Sequence, residues 1–298
     1  MPFLRPLAAP VAVLACLALA SCGGGGSSGA SAGDGGAPIT PKAANRRVTV
    51  VMASTRSSEQ RLLAQIYAQA IKAAGFHVRL AGGLAAGAPS IAALEQGQVN
   101  AYARFARVPA REQSALERGG VALLPLGRPV RANGLAVPAR TARRFHLRNI
   151  SGLARHAAGM TLAVPRGCER QPDCLPALKR AYGLRFRGVR RVRPDLAHEA
   201  LRTGRAQVSL VSTTDPHVRR SGEALLVDDR RAFPAAGPVV LVRRALQRRG
   251  GQALRHAVDE ADSGLTVEMM EELNARVEFD EDSPVRVARD YLRATGLL

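Results

Sequence analysis

The sequence predicts an α/β fold, and three observations carry that reading. Short apolar runs rich in β-branched residues recur along the chain, as in Val48-Thr49-Val50-Val51-Met52 and Pro238-Val239-Val240-Leu241-Val242. Between such runs lie stretches with apolar residues at helical spacing, the clearest over 57–74. The connections are short and begin or end on glycine, proline, serine or threonine. This alternation is the pattern of an open sheet with flanking helices.

The opening unit organises the rest. Strand 48–52 leads into the polar turn Ala53-Ser54-Thr55-Arg56-Ser57. A helix starts at Ser57 or Ser58, with Glu59 in its first turn, where an acid suits the helix dipole. Leu62, Leu63, Ile66, Tyr67, Ala70, Ile71 and Ala74 form its apolar face, and Gly75 is placed to stop it in a left-handed conformation. Strand 76–80 follows, completing a β-α-β unit. Open sheets bind ligands beyond the carboxyl ends of their strands, beside helix N-termini. The hydroxyl-rich turn 54–58 stands there, which makes Ser54, Arg56 and Ser57 candidate ligand contacts; capping alone also accounts for Ser57 and Ser58.

The remaining elements follow in order. Residues 81–83 read as a loop, 89–96 as a helix with Pro89 in its first turn, and 98–102 as a strand. A helix at 110–118 stops at Gly119-Gly120, and 121–126 is a strand. Strand 133–138 enters a second unit, with helices near 139–145 and 150–156 and a strand at 160–164. A cysteine loop, helix 175–182, strand 185–189, helix 195–203 and strand 207–211 come next. The last strand ends in Ser212-Thr213-Thr214-Asp215, and 224–228 is another strand. Segment 238–242 reads as a return crossing, followed by helices over 244–262, from Thr266 and from Ser283-Pro284.

The N-terminal residues do not read as fold. Residues 1–21 carry an early Arg5 and an apolar run from Leu7 to Ala20, too short for a membrane span. The ending Leu19-Ala20-Ser21-Cys22 resembles a bacterial lipoprotein signal, which implies cleavage before Cys22 and a lipid on its thiol. Residues 22–45 are rich in Gly, Ser, Ala and Pro and read as a flexible tether with a typical reach of about 25 Å. The rest of the chain is long enough for one large or two mid-sized domains with a real core.

The formal net charge is +19, a balance that raises the question of nucleic acid or anionic membrane. Only Lys42, Lys72 and Lys179 among the 43 basic residues are lysine, and the arginines are scattered. Trp is absent, Tyr and Phe number 4 and 7, and no nucleic-acid motif is present. The reading is therefore no nucleic-acid partner. Of the 4 cysteines, Cys16 lies in the signal and Cys22 takes the lipid. For Cys168 and Cys174 one disulfide is the simplest account in an oxidising compartment. A zinc site would need further ligands nearby, and a catalytic thiol would need a partner histidine. The histidines at 77, 146, 156, 198, 217 and 256 are dispersed without ligand spacing; only His217, two residues after Asp215, stands near a candidate site. No metal and no cofactor is expected.

These blocks, in this order, resemble the extracytoplasmic substrate-binding proteins of ABC importers for osmoprotectants such as glycine betaine, carnitine and choline. The resemblance rests on 53–60, on Val99-Asn100-Ala101-Tyr102-Ala103-Arg104-Phe105, on the loop from Cys168 to Cys174-Leu175-Pro176, on Ser212-Thr213-Thr214-Asp215, and on the C-terminal block from Leu265-Thr266 to Gly296-Leu297-Leu298. It implies a two-lobed periplasmic-binding-protein-like fold of type II, with two sheets, flanking helices and a ligand cleft between the lobes. Lobe one would comprise 46–132 and 240–298, and lobe two 133–239. It implies a lipid-anchored, monomeric, extracytoplasmic protein that hands a small solute to an ABC permease and catalyses nothing.

The family holds quaternary ammonium groups in a box of aromatic faces. By position, Tyr102 matches a box tyrosine, Phe105 replaces another, and Asn133 stands near where a tyrosine is common. Thr214 and Asp215 match a further motif. Arg104 stands where the family has Glu and would bring positive charge to the cleft. Arg56, Arg104, Arg166, Asn133 and the 54–58 hydroxyls would instead suit a carboxylate or a more polar zwitterion. An enzyme on the same scaffold and a sensor lipoprotein without a transport role are the competing readings.

Overall fold

The computed structural model describes residues 38–85, 87–124 and 127–298. The expected signal 1–21, the lipidation site Cys22 and most of the expected tether lie outside these residues. The end of that tether corrects the expectation: a 3-10 turn spans Ala43–Arg47, and Ile39 is buried against the core. Lys42 N donates to Ala74 O and Asn45 Nδ2 donates to the same carbonyl at 2.7 Å. The segment packs because it carries an isoleucine and an amide side chain that satisfies the end of the next helix.

The first sheet is ordered β2-β1-β3-β10-β4. Its strands are β1 (Thr49–Thr55), β2 (His77–Leu84), β3 (Ala101–Ala106), β4 (Val121–Leu123) and, much later in the chain, β10 (Gly237–Arg243). β1 runs parallel to β2 and β3, and β10 runs antiparallel to β3 and β4. The second sheet repeats this plan as β7-β6-β8-β5-β9. It comprises β5 (Asn133–Pro138), β6 (Thr161–Pro165), β7 (Gly188–Val192), β8 (Val208–Ser212) and β9 (Glu223–Leu226). β6 is parallel to β7 and β8, and β5 is antiparallel to β8 and β9. Two sheets of the same plan, each with its own core, make the two-lobed α/β architecture that the resemblance implied.

Several strands extend differently from their sequence pattern. β1 continues through Ala53, Ser54 and Thr55, so the expected turn shrinks to Arg56-Ser57. β2 runs through Gly82 and Gly83, which form a bulge on the outer edge of the sheet, Gly83 at φ 81°, instead of ending the strand in a loop. β3 starts at Ala101 and not at Gln98, and Asn100 just before it adds side-chain bonds to its backbone bond with β1. Its Oδ1 accepts from Val51 N at 2.7 Å and its Nδ2 donates to Thr49 O at 2.9 Å. β7 is displaced to 188–192, which places Arg190 and Arg191 on an edge strand, where charge discourages further pairing.

The helices are α1 (Ser58–Ala73), α2 (Ala88–Glu95), α3 (Ala110–Arg118), α4 (Ala139–Arg144), α5 (Ile150–Ala154), α6 (Leu175–Tyr182), α7 (Ala197–Arg202), α8 (His217–Arg220), α9 (Arg244–Ser263), α10 (Val267–Glu278) and α11 (Pro284–Ala294). The α1 face predicted from spacing is buried, with Leu62, Leu63, Ile66, Tyr67, Ala70 and Ile71 at 0% exposure. It packs against α9 and α11, so the C-terminal helices close the core that the first helix opens. Gly75 ends α1 at φ 96°, and a Cβ there would meet Lys42 O at 2.7 Å, so conformation and space both require glycine. α9 is interrupted at Gly251, whose φ of 50° and ψ of −140° break the single helix expected over 244–262. Two successive glycines give this break little resistance.

The chain passes between the sheets twice, and the two passages lie side by side. Arg131 N donates to Ala236 O at 3.1 Å and Ala236 N donates back to Arg131 O at 2.6 Å. The second passage enters β10 at Gly237, where a Cβ would meet Gly127 O at 2.3 Å, so the strands approach backbone to backbone.

Candidate functional site

The first lobe contributes the start of α1. Ser57 is its N-cap by backbone position, with no side-chain hydrogen bond of the capping kind, and Ser57 and Arg56 are both exposed. Ser54 is buried at the end of β1, its Oγ 3.5 Å from Thr55 O. Glu59, in the first turn of α1, is the residue of this block that meets the other lobe. Its Oε2 accepts from Arg131 Nε at 2.8 Å and its Oε1 accepts from Thr214 Oγ1 at 2.6 Å.

Thr214 sits just past the end of β8 and is 0% exposed. Its hydroxyl is oriented by Ser212, whose Oγ lies 2.8 Å away and donates to it. Asn274, on α10, closes the group: its Nδ2 donates to Glu59 Oε1 at 3.2 Å and to Thr214 O at 3.0 Å. One carboxylate of the first lobe thus accepts from a passage arginine, a second-lobe hydroxyl and a C-terminal amide. Hydrogen bonds to a charged acceptor in so dry a place are each worth about 1.5–3 kcal/mol. Glu59 and Asn274 both lie in blocks that carry the resemblance, but neither is a candidate contact by sequence; Glu59 reads as an acid that suits the helix dipole.

Asp215 lies at the centre of a second cluster. Its Oδ2 is 2.9 Å from His198 Nε2, and its Oδ1 is 3.0 Å from His217 N and 3.1 Å from His217 Nδ1. The opposite nitrogen of His198, Nδ1, is 2.9 Å from Glu223 Oε2. The two imidazoles stack with centroids 4.8 Å apart. Burial works against a charged His198, but the hydrogen bonds to Asp215 and Glu223 outweigh it and push the pKa up to about 9. Burial likewise opposes an ionised Asp215, and the two histidines overcome it, holding the carboxyl well below the usual range. This corrects the reading of the histidines as dispersed: helix α7 and the β8–α8 turn bring His198 and His217 onto one carboxylate. The Asp215-x-His217 spacing was the only sequence signal; which face of α7 carries His198 is set by packing.

The aromatic positions divide. Tyr102 on β3 is 1% exposed, packed with Leu94, Val99, Leu116 and Leu241 beneath α2 and α3. Phe105 is half-buried at the far end of β3, with the Arg131 guanidinium 6.0 Å from its ring centroid. Arg104 corrects the expectation of free positive charge in the cleft. It pairs with Glu112 of α3, and its side chain is 16% exposed. Arg166 is exposed.

Asn133 opens β5, and its Nδ2 donates to Asp173 O at 2.9 Å, on the shoulder of the cysteine loop. That loop is closed by a Cys168–Cys174 disulfide with Cα atoms 5.3 Å apart, and both residues are fully buried in the second core. A cavity of about 540 Å3 opens beside the passages, lined among others by Arg131, Thr213, Asp215, Arg219, Glu223 and Glu271. Its size is that of a small-molecule pocket. Of the predicted ligand set, Asp215 alone lines it. The structure therefore brings Thr214 and Asp215 together at the lobe junction, sets Phe105 near Arg131, and keeps Ser54, Arg56, Ser57, Tyr102 and Asn133 apart from that cavity. Among the described residues, no helix is long and apolar enough to cross a membrane.

Comparison with known proteins adds the following. Residues 48–294 match the family model described as the substrate binding domain of ABC-type glycine betaine transport system. A glycine-betaine-binding protein of Pseudomonas aeruginosa is 28% identical over 276 residues, covering 81% of this chain and 86% of that protein. An ergothioneine transport permease/ergothioneine binding protein of Helicobacter pylori is 23% identical over 279 residues, covering 87% of this chain. The chain spans 50% of the length of that second relative. A solved structure described as a glycine betaine/carnitine/choline ABC transporter superposes with a TM-score of 0.69 at 20% identity, covering 82% of this chain and 98% of its own. That likeness is one of fold.

Proposed function

This chain belongs to the family of substrate-binding domains of ABC-type glycine betaine transport systems, and from that membership we propose that it captures a small solute between its lobes and delivers it to a membrane permease. The observation that carries the mechanism is the junction at Glu59, where a first-lobe carboxylate receives Thr214 of the second lobe and Arg131 of a passage. Hinge closure about the paired passages would make and break these bonds as solute enters and leaves. The solute class is glycine betaine or a related quaternary amine such as choline or carnitine. A second reading, a different polar or zwitterionic solute, ergothioneine included, is favoured by one feature: Tyr102 is buried in the core, which leaves few aromatic faces for a cation. On either reading the chain acts outside the cytoplasm, held to the membrane by a lipid on Cys22, and turns over no substrate. Cys22→Ser would abolish incorporation of labelled palmitate if the anchor is there.

Calorimetry on the full chain against glycine betaine, choline, carnitine, proline and ergothioneine tests the proposal. Saturable binding of a quaternary amine, weakened by Asp215→Ala or Thr214→Ala, supports the first reading. Binding of ergothioneine or another zwitterion alone supports the second. Silence with every solute in the set overturns both.

A further inference from the structure

The cluster around Asp215 has the make-up of a metal centre, and nothing in solute capture calls for it. We propose that His198 Nε2, Asp215 and His217 Nδ1 bind one transition-metal ion of zinc's type, with Glu278 as fourth ligand from α10. Each of the first three offers a ligand atom, and these atoms lie within 4.8 Å of one another. Glu278 Oε2 is 3.4 Å from His217 Nδ1, and Ser58 Oγ steadies its other oxygen at 2.7 Å. In a tetrahedral site with bonds near 2.0–2.1 Å, neighbouring ligand atoms stand about 3.3 Å apart. His198 Nε2 is 2.9 Å from Asp215 Oδ2, His217 Nδ1 is 3.1 Å from Asp215 Oδ1, and Glu278 Oε2 is 3.4 Å from His217 Nδ1, so the groups stand near that edge with Asp215 reaching the two rings through different oxygens. The two rings stack at 17°, so one imidazole must turn for both lone pairs to converge on the ion.

The surroundings match the ligands. A metal-bound imidazole commonly donates its second N–H to a carboxylate, which fixes the tautomer and orients the ring. Glu223, with a side chain 3% exposed, stands in that role 2.9 Å from His198 Nδ1. Metal binding would displace the proton that Nε2 shares with Asp215 and leave Nε2 of a neutral ring as the ligand electron pair. Three carboxylates, Asp215, Glu223 and Glu278, surround two imidazoles in a chain whose overall charge is +19. A divalent cation on neutral imidazoles offsets two of those three charges. The imidazole pair selects zinc, copper or nickel over magnesium and calcium, which take all-oxygen sets.

The site also has a way in. A second cavity of about 810 Å3 is bordered by His198, His217 and Glu223, while Asp215 and Glu223 border the cavity beside the passages. Its ligands come from both lobes, since His198, Asp215 and His217 belong to the second and Glu278 to the C-terminal helices of the first. A bound ion would therefore hold the lobes together at a point distinct from the Glu59 junction.

Zinc titrated by calorimetry into the full chain, after chelation and dialysis, is the test. One equivalent bound at micromolar zinc is expected, lost in His217→Ala, which alters a partly exposed residue, and weakened about tenfold in Glu223→Gln. Loss in His217→Ala separates this site from any contribution of the Cys16 and Cys22 thiols. Cobalt(II) on the unaltered chain should give the visible absorption of a tetrahedral nitrogen–oxygen centre, a readout that needs no variant. Absence of a stoichiometric site, or one that survives both His198→Ala and His217→Ala, overturns the proposal.

Discussion

Asp262 is the residue whose chemistry departs furthest from its sequence neighbourhood. It lies near the end of α9 and is 7% exposed, and the fully buried Tyr67 of α1 donates its hydroxyl to it. Burial pushes its pKa up to about 7; the Tyr67 hydrogen bond acts against this and nearby Asp259 adds to it. The same burial and the same carboxyl drive the Tyr67 hydroxyl well above its ordinary value. Because the folded value lies above the unfolded one near 3.8, the folded chain keeps a proton that the unfolded chain releases. This group's stabilisation is full below that unfolded value and is lost as pH rises through about 7. Asp262→Asn removes the dependence. Urea midpoints should show the unaltered chain losing up to about 4 kcal/mol relative to Asp262→Asn across that window. A constant difference between the two would show that the carboxyl is ionised throughout. None of this was legible in the sequence, where Asp262 is one acid in an acidic helical stretch. Its partner stands far back in the chain on α1, and only the packing of α9 on α1 creates the pair.

At the scale of elements, most of the pattern was readable and the errors share a cause. Helix α1 and its stop at Gly75 followed from apolar spacing and one glycine. α3 and the strand-helix alternation followed the same way. Strand ends did not, because they depend on a partner: Gly82 and Gly83 bulge beside β1 without ending β2, and Asn100 bonds to β1 by its side chain. The site suffered from strand parity. On β3, residues alternate between the two faces of the sheet. Tyr102 points under α2 and α3, while Ala101 and Ala103 face α1 and its partners. Matching a motif position identifies the strand but does not tell whether its ring is covered. Tyr102→Ala should therefore act first as a core truncation, costing about 3–5 kcal/mol of stability. Chemical denaturation checks this: a variant as stable as the parent would mean that the ring is not packed as described.

For the whole molecule, the two-lobed plan was legible through the order of its blocks, whereas the junction that joins the lobes was not. Glu59, Thr214 and Asn274 come from three distant parts of the chain, and only Thr214 was a candidate contact by sequence. If closure depends on this junction, Glu59→Gln should shift the molecule towards an open state. Small-angle scattering should record a larger radius of gyration, with solute affinity lowered by about tenfold, the equivalent of one charge-assisted hydrogen bond. An unchanged radius together with unchanged affinity would mean that closure is set elsewhere.

The place of β10 has a consequence in time. It is the strand between β3 and β4, yet it is made only after the whole of the second sheet. The helices α9 and α11 that cover the apolar face of α1 come later still. At about 5–20 residues per second, the first sheet waits on the order of ten seconds for its fourth strand in sheet order, while the second lobe can fold as an uninterrupted segment. The N-terminal half is thus kept from completing its core until synthesis is nearly over. Under the proposed role outside the cytoplasm, such a delay would leave the leading half without its complete core during export, and the same strand that fixes the architecture also sets when it can form.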